Sequence, residues 1–586
     1  MRRFFLRFFA TIGVIVVLLI ATGIGLGVWL VRAPRSPSIA PNTILTLDLT
    51  GALPDGPSDH GVAQLLFPTG LSLADTRGAL ERAGDDPRVK GVMARVGDGG
   101  MGLGEVQELR DAIAAFRMKG KRAIAYADTF GELSSGTRSY YLATAFDEIW
   151  LQKLGMVGLV GLRAEMPFFR GTLDWLGIVP DFAHREEYKD AANMLTEKQM
   201  TAPEREELEA LLQSVYAQVV AGIAADRKID EGAVKVLIDH APILNDEAIA
   251  THLVDHVGDR EDAIASLGGG PLVTLDRYAD QVGPAHRRGP TIALIYATGL
   301  MARDGGGGNP LTSDNVMAAD EVTRALKLAQ NDKSVRAILF RINSPGGSAV
   351  AAETIWAAVK RARNAGKPVI VSMGDVAGSG GYYIAAPADK IIAEPATLTG
   401  SIGVIAGKLV FGDLLKKLGG NADAVQIGAN AGIFSLTQPF SPSERERLEA
   451  VLDEIYGTFK SRVGEGRKLD AAAVEAIAKG RVWSGADAQA HRLVDTLGGF
   501  RTALDAAKEA AGIAADQDVN LKLYPPPKNN LDLLLGRVMG GGANNNDDDE
   551  TRLAAQLMIA MRAKAPNWEA LFQSPGLLLM PPFSLR

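Results

Sequence analysis

Two glycine-rich segments in the second half of the chain carry residue types suited to acyl-transfer chemistry. Residues 343–348 (NSPGGS) follow the apolar run AILFRI, and the paired glycines let backbone N–H groups point outward, as an oxyanion hole requires. Residues 374–383 (GDVAGSGGYY) follow the apolar run VIVSM and place Ser379 between glycines. A serine with small neighbours between a strand and a helix suits a nucleophile, and the helix start at Gly380 favours developing negative charge.

Each segment also has a simpler interpretation. NSPGGS could be a glycine-rich turn, and Ser379 could be an N-cap, since serine is a favoured capping residue. Two such loops after consecutive apolar runs nevertheless favour a functional site. The chemistry that they predict is nucleophilic attack on a carbonyl group.

A nucleophilic serine needs a base, and the sequence restricts which side chain can serve. No histidine lies between His286 and His491, which argues against a Ser-His-Asp triad built from the second half. Lysine is the remaining common base, provided that burial lowers its pKa enough to keep it neutral.

The chain has no cysteine, so a thiolate metal site, a cysteine nucleophile and disulfides are excluded. The scattered histidines show no metal-binding spacing, and we expect neither a metal nor another cofactor.

The segments that position these residues occur twice along the chain. Four segments of the first half recur in the second: 89–95 as 335–341, 140–150 as 382–392, 156–162 as 398–404, and 202–216 as 442–456. The offsets of 246, 242, 242 and 240 residues differ little. A repeat of this length indicates two homologous domains.

Within each copy, apolar strands alternate with amphipathic helices. Matching elements are predicted in the two copies: strands at 43–49 and 291–297, helices at 73–86 and 318–333, and second helices at 105–120 and 351–366. This alternation is typical of βαβ crossovers and predicts an α/β fold in tandem. The predicted segments are a start and anchor (1–35), a linker (36–42), two repeats (43–285 and 286–517), and a tail rich in Pro, Asn and Asp (518–586).

The amino-terminal region has the pattern of a transmembrane anchor. Residues 8–31 form a run of 24 without charge, and roughly 20 apolar residues suffice to span a bilayer as a helix. The run is longer than the core of a signal peptide and lacks a good cleavage site. Three arginines precede it and two follow, which favours a cytoplasmic amino terminus. We therefore expect a single-pass inner-membrane protein whose body is periplasmic or extracytoplasmic.

In the tail, residues 551–572 have the pattern of an amphipathic helix.

Three motifs in the second copy carry a family resemblance. INSPGGS, AGSGGYY and TLTGSIGV, in this order, resemble the signal peptide peptidase A family of membrane-anchored Ser-Lys proteases, in its long, duplicated form. The resemblance runs from the anchor to about residue 515. It implies a ClpP/crotonase-like fold in each repeat and a homotetrameric dome with inward-facing sites. It also implies that the partners are the membrane and signal peptides or other apolar peptides.

The resemblance also implies roles for individual residues. Lys189, in the segment EYKDA, would be the general base, and Ser379 would be the nucleophile. Ser401 would orient the lysine, and Gly347 and Gly380 would supply oxyanion N–H groups. The segment HREE just before the Tyr-Lys pair departs from the family, where we expect a glycine.

The two copies differ at the positions that matter for this chemistry. Residues at matched positions are Ser379 and Thr137, Gly380-Gly381 and Arg138-Ser139, Ser401 and Leu159, and Lys189 and Ala429. Residues 97–100 (GDGG), opposite the NSPGG loop, have no proline. The first copy therefore keeps the base and the second keeps the nucleophile, so neither is expected to act alone.

These observations favour a serine endopeptidase with a Ser-Lys dyad that degrades cleaved signal peptides and similar apolar peptides. Two alternatives are a non-catalytic, membrane-associated ring scaffold and a crotonase-type acyl-CoA enzyme. The net charge of −7 gives no indication of nucleic-acid binding. Whether Lys189 serves Ser379 of its own chain or of a neighbour stays open at this stage.

Overall fold

The computed structural model describes residues 39–56, 70–132, 134–304 and 316–526, and the backbone of a short strand at 577–579. The predicted anchor at 8–31 and the predicted tail helix at 551–572 lie outside the described residues. Among the described residues, one helix (Ala202–Arg227) is long and apolar enough to cross a membrane, and the side chains of Val215, Val219 and Ile223 on it are buried in the protein.

The first repeat alternates strands and helices as the sequence predicted. Its elements are β1 (Thr43–Leu49), α1 (Leu73–Asp85), β2 (Val89–Val96), α2 (Leu103–Met118), β3 (Arg122–Ala127), α3 (Thr137–Ala143), β4 (Glu148–Leu151), β5 (Met156–Val157), α4 (Arg170–Leu176), β6 (Val179–His184), α5 (Asn193–Thr196), α6 (Ala202–Arg227), α7 (Glu231–His240), β7 (Ile243–Leu244), α8 (Asn245–Ala250), β8 (His256–Val257), α9 (Arg260–Ser266), β9 (Leu272–Thr274) and α10 (Leu275–Val282).

The second repeat follows the same plan with additional short strands. Its elements, together with a strand from the tail, are β10 (Thr291–Thr298), β11 (Leu300–Ala302), β12 (Val316–Ala318), α11 (Ala319–Asn331), β13 (Val335–Ser344), β14 (Gly346–Ser348), α12 (Ala349–Asn364), β15 (Val369–Gly378), α13 (Gly380–Ala385), β16 (Lys390–Ala393), β17 (Leu398–Gly400), β18 (Ile405–Val410), α14 (Gly412–Lys417), α15 (Pro442–Arg467), α16 (Ala471–Ile477), β19 (Val482–Ser484), α17 (Gly485–Ala490), β20 (Thr496–Leu497), α18 (Phe500–Ala510), β21 (Asn520–Leu523) and β22 (Leu577–Leu579).

Each repeat is built around a mainly parallel sheet. The first sheet has the order β8-β4-β3-β2-β1-β9, and the second has the order β19-β17-β15-β13-β10-β21 with β16 and β20 beside β15. The central strands β13 and β15 are mostly apolar and mostly buried, as expected for strands covered on both faces. Because β21 pairs in parallel with β10, the second sheet extends past residue 517, where we placed the end of that repeat.

The long helices α6 and α15 show how matched sequence produces matched structure. Thr201 and Ser441 cap them, each accepting a hydrogen bond from the backbone of a glutamate three residues later, whose side chain returns to the cap. This capping box satisfies backbone N–H groups that a helix start leaves unpaired. Both helices run for 26 residues and end at a lysine in the left-handed region.

A third sheet joins the two repeats. Its order is β12-β11-β14-β22-β18-β6, so a strand from the first repeat and a strand from the tail lie among strands of the second repeat. The pairing of β6 with β18 is antiparallel and runs from His184 opposite Ile405 to Val179 opposite Val410. Through this sheet, β6 of the first repeat reaches the region of the second repeat that contains the glycine-rich loops.

Buried ion pairs also connect the repeats. Arg341 on β13 has a side chain that is 1% exposed, and it contacts Asp55 at 2.6 Å and Glu108 at 2.8 Å, both in the first repeat. Arg77 contacts Glu108 from the other side, at 2.5 Å. The charges of the guanidinium and carboxylate groups are thus matched inside the interface, which a buried charge requires.

Candidate active site

The structure brings three of the predicted side chains together in the protein interior. The Lys189 Nζ lies 2.9 Å from the Ser379 Oγ and 2.9 Å from the Ser401 Oγ. It also lies 3.1 Å from the Ser401 carbonyl oxygen. All three residues are fully buried. The contact between the two repeats forms within a single chain.

Ser379 lies on a sharp turn between β15 and α13. Its backbone has φ 52° and ψ −115°, a region that side-chain-bearing residues rarely adopt. Ser379 does occupy the N-cap position of α13, but its hydroxyl makes no capping hydrogen bond. The hydroxyl is used for the contact with Lys189 instead, so the simple capping interpretation does not describe it.

Strand pairing explains why Ser401 lies beside Ser379. Gly378, at the end of β15, pairs in parallel with Gly400, at the end of β17. The two serines follow these partners directly, and the Ser379 N–H donates to the Gly400 carbonyl at 2.8 Å. Ser401 also has a positive φ, of 50°. Parallel neighbouring strands thus present the two hydroxyls at one edge of the sheet.

Lys189 reaches this edge from the first repeat, five residues after the end of β6. The connecting loop needs one left-handed residue, and Glu186 takes that conformation with φ 66°. A glycine, which we expected in this segment, would adopt it without steric cost. The loop is held by the Arg185 contact to Asp453 at 2.6 Å and by the Glu187 contact to Lys479 at 3.0 Å.

Glycines of the second repeat make room for the lysine. A methyl group built on Gly480 would lie 2.8 Å from the Lys189 Cα, and one built on Gly403 would lie 3.0 Å from its Cδ. Side chains at either position would therefore displace the lysine. The sequence reasoning missed these two glycines, and Gly403, two residues after Ser401 in TGSIGV, is the one that its motif could have indicated.

Burial sets the protonation state of Lys189. Desolvation lowers the pKa of Lys189 to about 7, while the nearby carboxyl groups of Asp190 and Glu207 act in the opposite direction. Burial also raises the pKa of Asp190 to about 7 and that of Glu207 well above its ordinary value. A lysine whose pKa is about 7 is neutral in a large fraction of molecules near pH 7, as a general base requires.

The sequence reasoning also missed the acidic residues behind Lys189. Asp190, Glu204 and Glu207 are buried, and each has one carboxyl oxygen without a hydrogen-bond partner. Glu207 accepts a hydrogen bond from the Val482 N–H, so it too bridges the repeats. Asp190 was visible as the neighbour of Lys189, whereas Glu207 is near the lysine only because α6 folds back beside it.

The two glycine-rich loops meet next to Ser379. A methyl group built on Gly380 would lie 3.3 Å from the Gly347 backbone nitrogen. Gly347 has φ 149°, and its neighbour Gly346 has φ 105°. NSPGGS is therefore the end of β13 and the start of β14, and it packs against the turn that holds Ser379. Both predicted sources of oxyanion N–H groups lie beside the candidate nucleophile.

The corresponding positions of the first repeat are occupied differently. The Thr137 hydroxyl donates to a backbone carbonyl at 2.9 Å, and Ser139 donates to Asp98 at 2.6 Å. Leu159 is buried, and Ala429, opposite Lys189, lies in an exposed loop. The arrangement of a lysine with two serine hydroxyls therefore forms from both repeats together.

Comparison with known proteins agrees with this geometry. Residues 115–270 and 361–514, one segment in each repeat, match the sequence model of peptidase family S49. The chain is similar to "Serine protease SPPA, chloroplastic" of Arabidopsis thaliana, with 30% identity over 84% of this chain and 73% of the relative. It is similar to "Protease 4" of Haemophilus influenzae, with 32% identity over 82% of this chain and 79% of the relative.

A shorter relative matches part of the chain. "Putative signal peptide peptidase SppA" of Enterococcus faecium is 34% identical over 37% of this chain and 63% of its own length. The two family segments together cover more than half of the chain, and the longer relatives cover most of it. The chain therefore belongs to peptidase family S49 and is a serine protease.

Proposed function

We propose that the protein is a membrane-anchored endopeptidase in which Ser379 and Lys189 form the catalytic dyad. The observation that carries this proposal is the 2.9 Å contact between the Lys189 Nζ and the Ser379 Oγ, inside one chain. Ser401 orients the lysine through its hydroxyl and carbonyl oxygens. Gly347 and Gly380 supply the oxyanion N–H groups.

The reaction follows from these positions. Neutral Lys189 takes the Ser379 proton as the serine oxygen bonds to the scissile carbonyl carbon, and the loop N–H groups bind the resulting oxyanion. The carbon–nitrogen bond then breaks, and Lys189 gives its proton to the leaving amine. Water, deprotonated by Lys189, attacks the acyl ester, and the proton returns to Ser379 as the product acid leaves.

The proposed substrates are cleaved signal peptides and similar apolar peptides. The motif resemblance supports this, as does the name of the Enterococcus faecium relative, a putative signal peptide peptidase. Residues 8–31, proposed as a single span in the inner membrane, would hold the site near peptides released into the bilayer. The body would be periplasmic or extracytoplasmic.

The same resemblance supports two structural proposals. Each repeat would have the ClpP/crotonase-like fold, and four chains would form a dome with inward-facing sites. The S49 assignment and the Ser379–Lys189 contact favour peptide hydrolysis over acyl-CoA chemistry and over a scaffold without activity. Cross-linking of the full chain in detergent would measure the number of subunits.

The test of the dyad is the loss of peptide cleavage in two variants. Ser379→Ala and Lys189→Met should each lower kcat/KM by at least about 10³-fold, because the members of a dyad act as one unit. Lys198→Met is the matched control, since that lysine lies nine residues away and its side chain is 74% exposed. Near-normal turnover by Lys189→Met would contradict the assignment.

A further inference from the structure

The strand that leads to Ser379 contains a bulge. β13 and β15 pair in parallel on both sides of it, and between the paired residues Asn343 of β13 faces residues 374–376 of β15. The matching strands of the first repeat, β2 and β3, pair without such an irregularity. Bulges beside active sites often re-aim a side chain, and this one lies in the repeat that holds the candidate nucleophile.

The bulge directs Asp375 to the first repeat. The Gly104 N–H, in the first turn of α2, donates to the Asp375 Oδ1 at 2.9 Å. A methyl group built on Gly102 would overlap the Asp375 carboxyl group, and one built on Gly104 would lie 3.2 Å from the Asp375 Cα. The start of α2 therefore packs directly on the strand that leads to Ser379.

Asp375 supplies a cap that α2 lacks in its own repeat. The residue before α2 is Gly102, which has no side chain, whereas the matching residue before α12, 246 positions later, is Ser348. The Ser348 hydroxyl accepts a hydrogen bond from the Ala351 N–H of its own helix. A carboxylate at a helix start satisfies an unpaired N–H group and interacts favourably with the helix dipole. The helix α2 is thus capped by the other repeat, on the strand that carries the candidate nucleophile.

The first turn of α2 also contacts the start of the oxyanion loop. The Asn343 side chain accepts a hydrogen bond from the Val376 N–H at 3.1 Å. Its amide group donates to the Glu105 Oε1 at 3.4 Å. Asn343 is the first residue of the NSPGG segment that contains Gly347. One helix start of the first repeat therefore contacts both the strand to Ser379 and the loop with the proposed oxyanion N–H groups.

The two acidic side chains at this contact do not both carry a full charge. Burial, together with the nearby carboxyl groups of Asp375 and Asp55, raises the pKa of Glu105 to about 8. Burial raises the pKa of Asp375 as well, while hydrogen bonds from the backbone of Gly104 and Glu105 act in the opposite direction. The pair therefore holds a proton near pH 7, which avoids the repulsion between two adjacent carboxylates.

We propose that Asp375, together with Asn343 and Glu105, is a positioning residue through which the first repeat fixes the Ser379 turn and the oxyanion loop. This inference rests on the proposed function, because it concerns the same site. The first repeat thereby supplies both the base and a rigid support for the nucleophile. A displacement of about 1 Å at such a site can cost about 10²-fold in rate.

The test separates positioning from helix capping. Asp375→Ala removes both, so it should lower kcat about 10²-fold, keep KM within about twofold of wild type, and lower the thermal unfolding temperature. Asp375→Ala combined with Gly102→Ser gives α2 a cap of its own, because the backbone there has φ −70° and ψ 165°, which suits a capping serine. This double variant should regain the unfolding temperature but not kcat.

Two further variants complete the comparison. Asp375→Asn keeps an acceptor oxygen for the Gly104 N–H and should retain most of the turnover. Asp239→Ala changes an exposed aspartate on α7 and is the matched control, with kcat and unfolding temperature as in wild type. Because Lys189 is unchanged, kcat/KM of Asp375→Ala should still rise through about pH 7. A shifted midpoint would show that Asp375 acts on the base and would overturn the inference.

The kinetic outcomes also distinguish this inference from the proposed function. Wild-type kcat in Asp375→Ala would overturn the inference, as would recovery of kcat together with the unfolding temperature in the double variant. If Ser379→Ala loses cleavage while Asp375→Ala keeps wild-type kcat, the proposed function stands and only the positioning role is wrong. Cleavage that survives in Ser379→Ala would refute the proposed function itself.

Discussion

Lys189 is the residue whose environment decides the chemistry of the site. A lysine in water has a pKa near 10.4 and would be almost entirely protonated at neutral pH. Here its amine is buried inside the protein. Its hydrogen-bond partners are the hydroxyls of Ser379 and Ser401 and the carbonyl oxygen of Ser401. Removing water from around a cation disfavours the charged form, which is why burial lowers the pKa of Lys189 to about 7.

The lowered pKa predicts the pH dependence of the reaction. The neutral amine is the base, so kcat/KM should rise as the pH increases through about 7 and should fall below it. The measurement is kcat/KM for an uncharged reporter peptide between pH 5 and pH 9. A profile that is flat across pH 7 would contradict a role for Lys189 as the base.

The carboxyl group of Asp190 should shift the pH profile of kcat/KM. Asp190 favours the protonated lysine, because an opposite charge stabilises the cation. Asp190→Asn should therefore lower the pKa of Lys189 and shift the rise in kcat/KM to lower pH. Lys198→Met, which alters only an exposed side chain, should leave the profile where it is.

At the scale of elements, the pairing of β6 with β18 positions Lys189, the proposed base. Neither strand contributes a side chain to the dyad, yet their six-residue register determines where the loop to Lys189 begins. Gly407 on β18 lies opposite Phe182 on β6, and a methyl group built there would be 2.5 Å from the Phe182 Cα. The strands approach closely at this point because glycine has no side chain.

We predict that Gly407→Val reduces turnover without unfolding the protein. The larger side chain should push β6 away and misplace Lys189, and a displacement of about 1 Å can cost about 10²-fold in rate. The readouts are kcat for a reporter peptide and the thermal unfolding temperature. Gly457→Ala, in helix α15 with no atom within 4 Å of the added methyl group, should retain full activity. Equal kcat for wild type and Gly407→Val would show that the register of these strands does not position the base.

At the scale of the whole molecule, the duplication supplies a matched comparison of two arginines. Arg341 and Arg95 occupy corresponding positions, at the ends of the matched segments VRAILFR and VKGVMAR. Arg341 is buried against carboxylates of the other repeat, whereas Arg95 contacts Asp128 with both side chains almost half exposed. Equivalent residues therefore have different partners once the repeats pack together.

We predict that Arg341→Met is strongly destabilising and Arg95→Met is not. Loss of Arg341 leaves the buried carboxylate of Asp55 without its arginine and leaves Glu108 paired with Arg77 alone, which costs about 3–5 kcal/mol. The surface pair of Arg95 contributes about 1 kcal/mol or less. Urea unfolding of the three proteins measures the difference, and similar midpoints for the two variants would refute it.

Much of the fold was predictable because local patterns determine its elements. Strand β1 at Thr43–Leu49 and helix α1 at Leu73–Asp85 agree with the predicted 43–49 and 73–86. Periodic apolar residues and capping boxes act within a few residues, so they can be read without knowing the neighbours. The three-residue strands β14 and β22 could not be predicted in this way. They form strands because of the neighbouring strands with which they pair.

The sequence by itself determined which residues are the candidates for the chemistry. The family resemblance implied the roles of Lys189 and Ser401, and the comparison of the two copies showed that they differ at these positions and at Ser379. Only the tertiary structure decided that Lys189 and Ser379 meet within one chain, 190 residues apart, and that the strand β22 lies between β14 and β18. The physical reason is that pKa, strand pairing and access to a site depend on which segments pack together. That packing depends on the whole chain, and no single motif determines it.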